Sequence, residues 1–327
     1  VSSRAAECPY CSAHTCSYAL RRGASAETVA QALVGGDQFN EPELATIAVA
    51  RSLGRIPCEL TAKEREDLEK KFKPAEAEWV VPGIVLMGFL NKFMDAISVE
   101  LEASTVAETT SVLGANWSAG KAGRDLNSEA TLSTPPGSDS LATRLSVIRY
   151  APAALKLDKQ WQSGVPDTWP AAGELLKQLC GHNFPVLSRM KLGRGIRAVA
   201  SALRENLSAD TSTIGLDIKA MAGVVFAEVI SDKALCDEMR IMGLHFGLTE
   251  SQLDAVQHFA SDNNIDAPLT DQKQRAILLL ARAASPSPAD ITSSVVDICR
   301  ESGLSSPAIV ELVTWLSVLQ MLHRLSS

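Results

Sequence analysis

Apolar residues recur at three- and four-residue spacing along nearly the whole chain, and no alternating pattern of strand period persists. The pattern predicts an all-α protein. Thr61-Ala62-Lys63-Glu64 reads as a capping box, with Leu68 and Phe72 on the buried face of the helix it opens. Thr249-Glu250-Ser251-Gln252 reads as another, with Leu253 and Val256 inward. Pro74 and Pro307 each fall where a first helical turn tolerates a missing N–H. Pro82 lies inside the pattern that follows Pro74 and predicts a kink or a split into two helices. The most apolar stretch, 79–90, is interrupted by Pro82, Gly83 and Gly88, so no bilayer-spanning segment is expected.

Residues 127–140 are rich in Ser, Thr, Pro and Gly and carry only Leu132 as a large apolar residue, the composition of a linker. It separates an N-terminal unit, 1–126, from a longer C-terminal unit, 141–327. The two share landmarks in the same order. Gly23-Ala24-Ser25 followed by Val29 and Ala32 matches Gly247-Leu248-Thr249 followed by Leu253 and Val256. Ile47 to Arg51 matches Leu278 to Arg282, and the Pro74 and Pro307 helix starts follow, each leading into an apolar helix. Matched landmarks at similar spacing predict tandem copies of one helical unit.

Composition narrows the function. With 31 Lys and Arg against 38 Asp and Glu, the net charge of −7 argues against a nucleic-acid binder, which needs cations to neutralise phosphate. Seven Cys with no regular framework point to a reducing compartment, cytoplasmic or organellar. No signal peptide is visible, and a first residue of Val rather than Met leads us to expect an upstream segment. No cofactor is expected.

The one sharp motif is Glu7-Cys8-Pro9-Tyr10-Cys11-Ser12-Ala13-His14-Thr15-Cys16. Pro9 suits a first helical turn and places Cys8 at or next to the N-cap, where free N–H groups and the helix dipole favour a thiolate. Cys11 lies one turn on, within disulfide range after a modest adjustment, and His14 one turn beyond that. A nucleophilic thiol, a second thiol and a base within seven residues fit a redox dithiol. The same residues with Cys16 offer four zinc-ligand types, but on a continuous helix Cys16 points away from Cys8 and no second CxxC accompanies them, so no metal is expected. Chance buried cysteines are the third reading.

Cys8-Pro9-Tyr10-Cys11-Ser12-Ala13-His14-Thr15, then Leu20-Arg21-Arg22-Gly23 and Ser25-Ala26-Glu27, resembles the AhpD-like, carboxymuconolactone decarboxylase family. The stretch from Glu78-Trp79 to Asn91-Lys92-Phe93 resembles that family's closing helix. The likeness runs over 1 to about 105, and over 141–327 only in outline, as for a degenerate second copy. The resemblance implies an all-helical fold and a thiol-dependent, alkylhydroperoxidase-like oxidoreductase. Cys11 would attack the peroxide, Cys8 would resolve it, and His14 would relay the proton with a Glu upstream of Cys8. An external dithiol or thioredoxin-like reductant would reopen the disulfide. The family favours self-association, which tandem copies satisfy internally.

Two departures stand out. Only Ser12 and Ala13 separate Cys11 from His14, one residue fewer than the family spacing. The relay Glu, about three turns before the first Cys, would precede Val1, so the first copy is expected to lack its N-terminal helices. Aligning Gly247 with Gly23 places Asp232, Leu235 and Glu238 at the positions of Cys8, Cys11 and His14, so the second copy is expected to be chemically empty. Cys180 with His182, and His245, read as structural, and Cys58 and Cys299 as small hydrophobes. The rival to an enzyme is a non-enzymatic interaction or scaffold protein with a vestigial site.

Overall fold

The computed structural model describes residues 1–36, 38–123, 148–261 and 271–327. Among them are sixteen α-helices and no strand, as the periodicity predicts. The segment 127–140, read as a linker, lies outside the described residues.

In chain order the first half holds α1 (Ser2–Ala5), α2 (Pro9–Arg21), α3 (Ala26–Val34), α4 (Glu41–Gly54), α5 (Ala62–Lys71), α6 (Pro74–Ala96) and α7 (Ala103–Leu113). Next come α8 (Ala151–Trp161), α9 (Trp169–Cys180) and α10 (Gly193–Asn206). The rest is α11 (Leu216–Val229), α12 (Lys233–His245), α13 (Glu250–Ser261), α14 (Gln272–Ala284), α15 (Ser293–Glu301) and α16 (Ser306–Ser326).

Local chemistry sets the helix starts. Thr61 Oγ1 accepts the Glu64 N–H at 3.2 Å, and Glu64 Oε2 accepts the Thr61 N–H at 2.8 Å, closing the predicted box. Glu64 Oε1 also accepts the Ser52 hydroxyl at 2.6 Å, tying α5 to α4. Thr61→Ala is expected to cost about 1 kcal/mol, read as a lower urea midpoint at constant slope. Thr249 and Gln252 form the second predicted box.

The long helices α6 and α16 make the most extensive helix pair in the molecule. The apolar core is continuous across them: Val85 and Ala96 of α6 belong to the cluster built mainly from the second half. Helix α6 runs unbroken through Pro82 rather than splitting there. At Gly88 an added Cβ would meet Arg324 Cδ at 2.6 Å, so the missing side chain is what lets α16 approach.

Continuity through Pro82 overturns the expectation that no segment reaches bilayer length. Helices α6 and α16 have 23 and 21 residues and mean hydropathies of 1.2 and 1.3, long and apolar enough to cross a membrane on those criteria. The two pack on one another, and 72% of the apolar window of α16 is buried inside the protein, against 33% of that of α6.

Each of these helices sends a cation to the C-terminus of a helix in the other half. Lys92 of α6, 1% exposed, donates to the carbonyls of Ala284 at 2.9 Å, Ser285 at 2.7 Å and Pro286, at the end of α14. Arg324 of α16, also 1% exposed, donates to Gly54 O at 3.0 Å, at the end of α4, and to Ile84 O at 3.1 Å. Carbonyls in a last helical turn have no intrahelical partner and carry the negative end of the dipole, so a buried cation is favoured there.

Candidate functional site

Cys8 is the N-cap of α2 in extended conformation and Pro9 opens the helix, as the motif predicts. The Cys8 sulfur accepts the Cys11 N–H at 3.4 Å, an interaction that strengthens as negative charge builds on that sulfur. Glu7, immediately before, has φ +52, which turns the chain from α1 into the cap. Helices α1, α6 and α7 pack against α2, so the site helix is supported within this chain.

Both thiols are buried, Cys8 at 2% exposure and Cys11 at 4%. The hydrogen bond to Cys8, reinforced by burial and by the negative fields of Cys8 and Asp95, pushes the Cys11 thiol well up; Arg324 pulls weakly the other way. A solvent cleft of about 480 Å³ opens on Cys8, between Arg4, Glu7, Pro9 and Ser12 on one side and Asn116 to Ser118 on the other. Cys11 does not line it. A smaller void is lined by Cys8 together with Tyr10 and Asp95.

His14 faces Glu102, the residue just before α7, with Nε2 3.1 Å from Oε2. The Tyr10 ring lies against the imidazole, centroids 4.4 Å apart. Burial, then the charges of Glu102, Cys11 and Cys8, raise the Tyr10 phenol pKa, so its hydroxyl feels both the carboxylate and the two sulfurs. Cys16 points elsewhere: burial and Glu108 push its thiol up to about 11, and no cluster able to hold a metal occurs among the described residues.

Three participants were not found from sequence: Tyr10 as a functional side chain, Asp95 and Glu102. Tyr10 sits inside the motif and reads there as ordinary. Asp95 and Glu102 lie more than eighty residues on, and only the return of α6 and α7 brings them to α2. Acidic groups therefore reach the thiols and His14 from the C-terminal side, whereas the expected relay Glu lay before Val1.

The second half repeats the local geometry without its thiols. Asp232 is the N-cap of α12, and its Oδ1 accepts the Leu235 N–H at 3.0 Å, as the Cys8 sulfur accepts from Cys11. Ser231 has φ +58 beside the +52 of Glu7, and Gly23 and Gly247 close α2 and α12 at φ +98 and +89. Glu238, aligned with His14, instead faces His182 at 3.5 Å. Cys180 is fully buried, its thiol directed at Leu176 O at 3.2 Å and raised to about 11 by burial, a structural role. Cys299 is likewise buried, and His245 stands exposed at the end of α12, the helix-end position of its structural reading. Cys58 is a partly buried hydrophobe packed against the cluster around Val49, Leu53 and Leu68, with its peptide N–H bonded to His323.

No family model, curated protein or solved structure matches this chain.

Proposed function

We propose that the protein is a thiol-dependent oxidoreductase of AhpD-like type, built from two tandem copies, that reduces hydroperoxides through Cys8 and Cys11. The carrying observation is the capped dithiol: two cysteines one turn apart at a helix start, hydrogen-bonded together, with a cleft opening on one of them. The matched caps and positive-φ residues of α2 and α12, and the reciprocal Lys92 and Arg324 caps, support the tandem reading.

The family resemblance casts Cys11 as the attacking sulfur. The cleft on Cys8 and the upward shift on Cys11 support the reverse order. A Cys8 thiolate attacks the distal peroxide oxygen, an S–O bond forms, the O–O bond breaks, and the alcohol leaves after taking a proton. The Cys11 thiol then displaces water from the sulfenic acid to give the disulfide. An external dithiol or thioredoxin-like reductant returns it to the dithiol by exchange. His14, in contact with the Tyr10 ring and 3.1 Å from Glu102, is the group to which proton transfer is assigned.

Mapping of disulfides after one equivalent of hydrogen peroxide tests this. A Cys8–Cys11 disulfide is expected, together with peroxide consumption that needs added dithiol and is lost in both Cys8→Ser and Cys11→Ser. If both thiols stay reduced and neither variant alters consumption, the motif is vestigial and the protein is an interaction or scaffold protein.

A further inference from the structure

A cavity of about 350 Å³ lies between the two halves, and no cysteine lines it. Helices α4, α5 and α6 wall one side; the turn Pro185–Arg189, Met190 and α16 wall the other. Val49, Leu53, Leu68, Val81, Val186 and Met190 make its interior aliphatic. It offers no aromatic ring on which a flat ligand could stack. Ligand pockets have this character, mostly apolar with a few placed polar groups. Two such groups are present here, each with a buried polar atom left over. Arg324 donates from its terminal nitrogens to Ile84 O at 3.1 Å and Gly54 O at 3.0 Å, but its Nε is buried without a partner. Those carbonyls carry only partial charge, and among the described residues no carboxylate pairs with this 1% exposed guanidinium. Burial pulls its pKa down to about 10, against the opposing fields of Cys58 and Cys11. A buried cation without a counter-ion is costly, so an anion delivered to it is favoured. Glu78 is the second group. Its Oε1 accepts the Lys191 and Leu192 N–H at 2.9 and 2.6 Å, at the start of α10, and its Oε2 is buried without a partner. Along α6 it precedes Ile84 by about 9 Å of helix rise, so an anion at Arg324 is held apart from it. Cations outnumber acids among the lining side chains, with Arg65, Arg189, Lys191 and Arg324 against Glu69 and Glu78.

We propose that this cavity binds a medium-chain aliphatic carboxylate, with its head on the Arg324 guanidinium and its tail among the aliphatic side chains. The unused Nε–H donates to a head oxygen, and the pair of opposite charges replaces an unanswered one. A chain of about ten carbons suits a volume at the small end of the ligand-pocket range. The site shares no residue with the dithiol and does not depend on the Cys8–Cys11 reading.

Isothermal titration of the full chain with decanoate, decanol and decylamine tests this. Decanoate is expected to bind with a Kd of about 10 μM. Decanol, which brings no charge to Arg324, should bind at least about tenfold more weakly. Decylamine, the cation of the same length, should bind more weakly still. Val81→Phe places a ring in the cavity and should abolish decanoate binding in a chain whose circular dichroism and melting show it folded. Arg324→Lys keeps a cation without the Nε donor and should weaken decanoate about tenfold. Should that variant fail to fold, the ligand series and Val81→Phe decide the matter without it. No binding of decanoate to the wild-type chain at about 1 mM overturns the proposal. So does undiminished binding to folded Val81→Phe, which would place the ligand elsewhere. Decanol as tight as decanoate would leave an apolar cavity with no anion site, and decylamine tighter than decanoate would put the head on Glu78. Either result overturns the assignment to Arg324.

Discussion

Glu102→Gln is expected to slow dithiol-dependent peroxide turnover by about 10²-fold, the lower end of what a positioned acid–base group supplies. The carboxylate stands 3.1 Å from His14 Nε2. It is the carboxylate that faces the imidazole, so its charge favours the ring's protonated form. The amide keeps the shape and removes the charge, so the loss should fall on turnover rather than on folding. Glu102 is 58% exposed and its ion pair adds little to stability, so the thermal midpoint should barely move. Steady-state peroxide consumption at saturating dithiol, paired with a melting curve, measures both quantities. Unchanged turnover would show that the proton reaches the leaving oxygen by another route, with Asp95 beside Cys8 the next group to substitute.

Lys92→Met should destabilise the protein by about 3–5 kcal/mol while keeping nearly the same side-chain volume. The 1% exposed ammonium is the donor for three carbonyls at the end of α14, two through buried bonds and the third, Pro286, through a part-buried one. Leaving a buried acceptor without a partner costs about 1–3 kcal/mol each, and the helix dipole adds to the loss. Urea titration should show a lower midpoint at constant slope. A change below about 1 kcal/mol would mean that the end of α14 does not depend on the Lys92 ammonium. Gly88→Val attacks the same junction from the steric side. Its Cβ meets Arg324 at 2.6 Å, and overpacking of this kind costs about 1–3 kcal/mol.

Local signals determined much of this protein before any tertiary contact was known. Short-range chemistry sets the helix starts at Cys8, Thr61 and Thr249, because a cap is satisfied within three residues of itself. The positive-φ turns at Gly23 and Gly247 follow the same logic, as does the pairing of Cys8 with Cys11 one turn on. Other features escaped because they are set by partners far away in the chain. Pro82 reads locally as a break, yet α6 continues through it because α16 packs along its length. Asp95 and Glu102 look like ordinary surface acids until α6 and α7 fold back on α2. His323 accepts the Cys58 peptide N–H and pairs with Asp232 at 2.6 Å, three segments as much as 265 residues apart that no spacing rule joins. A hydrogen bond within one helical turn is written in neighbouring residues. A hydrogen-bond network shared between two packed halves exists only once folding brings its members together.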